Sequence, residues 1–270
     1  MINDTQKISI KVMTFNIRLD TTIDGKNQWE NRKEAVLQVI QQEQPDILGL
    51  QEPLWHQLDY LQNMLPDYTA VGDGREGGNK GEFSPFLFKT SVFEFAKSDT
   101  GTFWLSDTPG IPSKHWGNHI LRICSWGRLK DISSGEDILV YNTHLDHESA
   151  LARLQSVRAI VDHISMRTKP RHYILMGDFN ANESSPPIQF LQKDASIPLV
   201  DSYRVIHPDE EELATFHNFT GLGSLGKIDY IFTGLNTKTI NAQVLTKKVG
   251  SRYPSDHYPV VMEFELLNTT

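Results

Sequence analysis

The sequence predicts an α/β fold built from two similar layers facing each other. Three observations carry that expectation: recurrent strand-like runs, two segments with a helical stripe, and one strand–helix–strand pattern that occurs twice. The runs are ISIKVMTFNI (8–17), DILGLQE (46–52), FLFKTSVFEF (86–95), LRICSWGRL (121–129), ILVYNTHL (138–145), HYILMGDF (172–179), KIDYIF (227–232) and YPVVMEFEL (258–266). Several alternate apolar with polar residues, as half-buried antiparallel strands do. In 31–43 the stripe is Ala35, Val36, Val39 and Ile40, and Asn31 with Glu34 fits a capping box. In 149–167 it is Leu151, Leu154, Val157, Ile160, Val161 and Ile164. The repeat matches FNIRLD…NRKEAVLQVI…DILGLQE with NTHLDHESALARLQSVRAIV…YILMGDFN, each a strand, a polar turn, an Arg-led helix and a strand with an acidic end. It places the polar strand ends together at one edge.

At 270 residues the chain is ample to bury a core, and no Pro/Ser-rich linker interrupts it, so residues 1–270 read as one domain. Hydrophobic content of 39% with 22% charged residues is that of an ordinary globular protein. A net charge of −8 shows no broad cationic face for nucleic acid. The single cysteine, Cys124, excludes an intramolecular disulfide and a cysteine-rich metal site, and reads as a small buried hydrophobe. The polar N-terminus MINDTQKISIKVM lacks a continuous apolar signal region, and no stretch approaches a membrane span. A cytoplasmic location is expected, with no membrane association and no obligate protein partner.

Chemistry concentrates at the strand ends. Asn16, Glu52, His144, Asp178 and Asn180 follow strands, Asp229 lies within KIDYIF, and Asp256 with His257 opens the last strand. Taken singly, an Asn or Asp there is a turn former, a Glu faces water, and a His is a satisfied structural residue. Eight such groups at the edges of apolar strands fit hydrolysis at phosphorus. Oxygen ligands such as Glu52, Asn16 and Asp256 suit Mg²⁺ or Mn²⁺. A carboxylate-oriented histidine serves proton transfer, and an amide at Asn180 donates to the phosphorane without adding charge. Zinc hydrolysis lacks both its H-E-x-x-H helix and a cysteine pair.

The motifs MTFNI, LGLQE, NTHL, MGDFN, IDYIF and SDHYPV, in this order across 13–260, resemble the endonuclease/exonuclease/phosphatase superfamily with its deoxyribonuclease-I-like fold. The resemblance implies a four-layer α-β-β-α sandwich of two mainly antiparallel sheets with the active site at one edge. It implies a metal-dependent phosphoesterase in which Asn16 and Glu52 hold the metal and Asp256 supports it. It further implies that His257, paired with Asp229, serves the nucleophilic water, that Asp178 orients that water or a second cation, and that His144 and Asn180 bind the phosphate. A binding module that merely kept the fold would have lost a ligand or a histidine, and none is lost.

The branch within the superfamily is narrowed by departures. Arg18 stands where abasic-site endonucleases carry an acid, and GDFNANE and GKIDYIF lack the arginine and Cys-Asp-Arg features of inositol 5-phosphatases. NTHL followed by the Arg153 helix is similar to the deadenylase side, while 81–89 and 101–126 resemble a bacterial branch. The expected substrate is a small phosphoester or phosphodiester; the alternative is a nuclease, such as a deadenylase-like 3′–5′ exoribonuclease, on single-stranded nucleic acid. Trp126 reads as core. Trp116 and Arg122 are candidates to line the substrate pocket. DGREGGNKGE (73–82) reads either as a mobile loop beside that pocket or as a plain surface hairpin.

Overall fold

The 8–17 run folds as β1 (Ser9–Asn16), paired in parallel with β2 (Ile47–Gln51) and antiparallel with β12 (Val260–Leu266). This computed structural model describes residues 9–167, 172–211 and 213–267. The polar N-terminal residues 1–8, with the first residue of that expected strand, lie outside the described residues. The first sheet is completed by β3 (Tyr68–Val71), β4 (Phe86–Lys89) and β11 (Thr237–Val244), in the order β11-β12-β1-β2-β4-β3. The second contains β5 (Phe93–Trp104), β6 (Ile123–Asp131), β7 (Asp137–His144), β8 (His172–Asp178), β9 (Val200–Asp201) and β10 (Asp229–Thr233), ordered β5-β6-β7-β8-β10-β9. Apart from the parallel β1–β2 and β7–β8 ladders, the described ladders are antiparallel.

Four layers follow from the two-residue period of the strands. Ile10 and Val12 of β1, Ile47 of β2, Ile138 and Val140 of β7 and Ile174 and Met176 of β8 share the core between the sheets. Met13, Phe15, Leu48 and Leu50 point the other way and pack under α1 (Lys33–Glu43) and α2 (Trp55–Met64). On the outer face of the second sheet, Leu139, Tyr141 and Leu175 meet Val157, Ile160, Val161 and Ile164 of α3 (Ala150–Ser165). The units β1-α1-β2 and β7-α3-β8 correspond, each with parallel strands, so the internal repeat of the sequence is a repeat of structure.

The sheets approach closely at Gly49, where an added Cβ would lie 2.7 Å from Asn142 Oδ1 and 2.8 Å from Met176 Cε. There a polar seam crosses the apolar core: Gln51 Nε2 donates to Thr14 Oγ1 (3.0 Å) and Asn142 Oδ1 (2.7 Å), while Asn142 Nδ2 donates to the carbonyls of Leu50 and Pro85. Both polar atoms of Asn142 and the Nε2 of Gln51 are thereby occupied, while the buried Oε1 of Gln51 has no partner among the described residues.

Three local expectations are corrected, and the choice left open at 73–82 falls to the hairpin. FLFKTSVFEF is not one strand but β4 and β5 in different sheets, because the chain turns over at Thr90–Val92; the polar run Lys89-Thr90-Ser91 was the one sign of the crossing. The Asn31–Glu34 capping box does not form: α1 starts after Arg32, without a side-chain cap, and Glu34 accepts instead from Tyr60 Oη at 2.8 Å. Asp256 and His257 precede β12 rather than opening it. Residues 73–82 are a hydrogen-bonded hairpin, with Arg75 N donating to Glu82 O at 2.9 Å and Glu76 N to Lys80 O at 3.1 Å. Cys124 and Trp126 are buried as expected. Among the described residues no helix is long and apolar enough to cross a membrane.

Candidate active site

The same period-2 alternation that builds the core delivers the polar groups. On β1, residues 10, 12, 14 and 16 face the second sheet, so Asn16 continues the inward row. On β7 that row ends at His144, on β8 at Asp178, and on β10 it begins at Asp229. The ladders fix their neighbourhood, for His144 and Asp229 are both register partners of Asp178. Beyond the strand ends the chain departs from extended geometry: Arg18, Glu52 and Asn180 take φ of 58°, 70° and 47°, and these turns aim their side chains into one cleft.

Asn16 sits at the centre. Its Nδ2 donates to Glu52 Oε1 (2.9 Å) and Asp178 Oδ2 (3.0 Å), while its Oδ1 accepts from Arg18 N (3.0 Å). His257 Nδ1 bonds Asp229 Oδ2 at 2.9 Å, and its Nε2 lies 3.6 Å from Asp178 Oδ2. Asn180 holds His144 Nε2 at 3.0 Å, and its backbone N donates to Asp178 Oδ1 at 2.9 Å. On the opposite side, Leu19 N donates to Glu52 Oε2 at 3.0 Å, and the Arg18 guanidinium stands 3.7 Å from both Glu52 and Asp256. Arg18 is itself fixed by two bonds to Asp24, each 3.0 Å. Arg32, fully buried, ties this turn to the 254 loop by donating to the carbonyls of Ile17, Arg18 and Pro254.

Burial and crowding set the charges. Burial, with the nearby Asp229 charge, raises the Asp178 carboxyl to about 7. Burial opposes charge on His257 too, but Asp229 and Asp178 outweigh it and lift the imidazole to about 10. Burial, helped by the positive charge of Arg122, pushes His144 well below its ordinary value, so it stays neutral. Burial would raise Glu52, yet the Asn16 bond and Arg18 hold it below the usual carboxylate range. Asp256 is raised by burial and by Glu52. A neutral imidazole, an imidazolium, a carboxylate poised near neutrality and an ionised carboxylate thus line one cleft of about 440 Å³.

Of the residues singled out from sequence, Glu52, Arg122, His144, Asp178, Asn180, Asp256 and His257 line the cleft, and Asn16 and Asp229 lie directly behind it. Trp116 is not brought in: its indole donates to Asp107 Oδ1 at 3.0 Å and packs against the outer core of the second sheet. Arg153 is likewise outside, bonding the Asp146 carbonyl at the start of α3. Sequence reading missed Arg75, Glu82, His147, Phe216 and Asn218, all of which line the cleft. The dense Gly and charge pattern of 73–82 was the available signal for the first two.

Two facing βαβ units with a carboxylate–imidazole cluster where the sheets meet define a deoxyribonuclease-I-like hydrolase fold. The sequence pattern of the Endonuclease/Exonuclease/phosphatase family matches residues 13–257, and the chain belongs to that family. It superposes on an endonuclease/exonuclease/phosphatase family protein of Bacteroides thetaiotaomicron with a TM-score of 0.89 and 31% identity, covering 98% of this chain and 100% of that one. It also superposes on a mannosyl-6-phosphatase of Bacteroides thetaiotaomicron with a TM-score of 0.86 and 32% identity, covering 94% and 99%. Among curated proteins it is similar to Nocturnin of Drosophila melanogaster, 24% identical, over 90% of this chain but only 43% of that protein's length.

Proposed function

We propose that the protein hydrolyses a P–O bond in a small phosphoester and depends on Mg²⁺ or Mn²⁺ to do so. The carrying observation is the convergence of Glu52, Asp178 and Asp256 with the His257–Asp229 and His144–Asn180 pairs on one cleft. Similarity to a mannosyl-6-phosphatase over nearly the full length of both chains supports a compact phosphoester over a polynucleotide.

The donor set fits a divalent cation. Glu52 and Asp256 present carboxylate oxygens to the cleft beside a further carboxylate, Asp178, and oxygen donors of this kind suit a hard divalent cation. Asp178, Asp229 and His257 also lie close enough together to share an ion, but His257 Nδ1 is already bonded to Asp229, which favours Glu52 and Asp256, braced by Asn16, as the holding residues. When bound there, the cation supplies charge neutralisation at the phosphoryl and leaving oxygens.

The chain's own groups do the rest. Asp178 Oδ2 takes a proton from the attacking water, since a carboxyl near 7 accepts protons at neutral pH yet is ionised enough to act. His257, kept protonated by Asp229, directs Nε2–H toward the phosphoryl oxygens as charge builds on them. The Asn180 amide orients neutral His144 beside the same phosphate. Arg122 offers a further cationic group from the cleft wall, its Nη2 held 3.0 Å from His147 Nδ1. The test is cleavage of a hexose 6-phosphate, a single-stranded RNA and duplex DNA with Mg²⁺ or Mn²⁺. The small ester is expected to be the best substrate; preferred cleavage of single-stranded RNA would instead establish the nuclease reading.

A further inference from the structure

The hairpin at 74–83 gives the cleft a wall that the hydrolytic chemistry does not use. Gly74 and Phe83 form its antiparallel bridge, which makes Arg75 and Glu82 neighbours across the two arms. Gly81 takes φ of 74°, and a Cβ there would lie 3.0 Å from Arg75 Cγ, so the glycine leaves room for the arginine to lie along the hairpin. Trp104 Nε1 donates to the Arg75 carbonyl at 2.7 Å and pins the hairpin to β5. The side chains then meet: Arg75 Nη2 stands 2.8 Å from Glu82 Oε1, with only 18% and 14% of the two side chains exposed, both on the cleft.

A carboxylate is out of place on the wall of a site for a polyanion. Burial and the charge of Glu52 already work against the ionised form of Glu82, and a second substrate phosphate there would add repulsion. The pair has a different complement. An ionised carboxylate only accepts hydrogen bonds and a guanidinium only donates them, whereas each hydroxyl of a diol does both. We propose that Arg75 and Glu82 form a polyol subsite, binding neighbouring hydroxyls of a sugar or polyol phosphate whose phosphate is hydrolysed at Asp178 and His257. Ile120, Phe216 and Leu225 supply the apolar wall that the C–H faces of such a ring require. The proposal rests on the phosphoesterase reading and deepens it by naming the part of the substrate that does not react.

The test compares hexose 6-phosphate with hexyl phosphate, which has the same carbon count and no hydroxyls. In the wild type, kcat/KM should favour the hexose ester by about 100-fold or more, because a site built to bond hydroxyls rejects an analogue without them. Glu82→Gln should lower kcat/KM for the hexose ester by about 10-fold or more while changing hexyl phosphate hydrolysis less than about 3-fold. Hexyl phosphate also reports on folding, since an unfolded variant loses both activities. Equal use of the two esters by the wild type, or an undiminished preference in Glu82→Gln, overturns the polyol subsite and leaves the phosphoesterase standing. No hydrolysis of either ester with Mg²⁺ or Mn²⁺ overturns both.

Discussion

Asp178 and His257 hold opposite charge states for one shared reason: each lies within reach of the other and of Asp229, almost wholly buried at the base of the cleft. Burial disfavours charge on both, but the two aspartates stabilise the imidazolium, while Asp229 repels the Asp178 carboxylate. A base at about 7 and an acid at about 10 give a definite profile. kcat/KM should rise with pH as Asp178 loses its proton, level off, and fall as His257 loses its own. Asp178→Asn should abolish the rising limb; a wild-type rate flat between pH 5 and 9 would contradict the assignment. The His257–Asp229 pair makes a second prediction. His257→Ala should cost about 10²–10⁴-fold in rate, and adding Asp229→Asn should cost little more, because a carboxylate that orients and charges an imidazole has no purpose without it. A double-mutant cycle checks this: independent, multiplying losses would break the pair.

At the scale of elements, strand alternation places inward residues both in the core and at the site, so the core tolerates little rearrangement where the two meet. Gly49 lies at this junction, with Asn142 fixed by Gln51 and two backbone carbonyls. Gly49→Ala should lower stability by about 1–3 kcal/mol, read from the denaturant midpoint; an unchanged midpoint would show that the sheets yield. Much of this level was legible in the sequence. Asn16, His144, Asp178 and Asp229 announce themselves because a polar group on an inward-facing strand position is conspicuous. What was not legible depends on tertiary placement. α2 carries only Leu58 and Leu61 as fully buried apolar anchors, too sparse a stripe to stand out. The crossing at Thr90–Val92 separates two strands that read as one. Arg75 and Glu82 lay unremarked in a segment that reads as a loop or a surface hairpin, and the fold turns both onto the cleft. Trp116 looked like a pocket residue because loops rich in Gly and His gather at sites, yet its indole found Asp107 and the outer core.

For the molecule as a whole, two βαβ units face each other and the site lies at the edge where both pairs of parallel strands end. The chain as a whole is acidic, with 34 carboxylate residues against 26 Lys and Arg. Duplex DNA draws much of its affinity from cations displacing counterions, and its affinity therefore falls steeply with salt. Cleavage of a small phosphoester should accordingly change little between low and moderate salt, and duplex DNA should remain a poor substrate at both; efficient duplex cleavage with a steep salt dependence would refute the charge argument. On the proposed reading Glu52 and Asp256, each 3.7 Å from the Arg18 guanidinium, would hold the cation within this cleft. The central claim, phosphoester hydrolysis that depends on a divalent cation at these carboxylates, is tested most directly by measuring kcat/KM for a compact phosphomonoester after dialysis against chelator and again after adding Mg²⁺ or Mn²⁺. Activity should vanish in chelator and return with the metal, and Glu52→Gln should need about 10-fold more metal or beyond at an unchanged unfolding midpoint. Full activity in excess chelator after dialysis would contradict it.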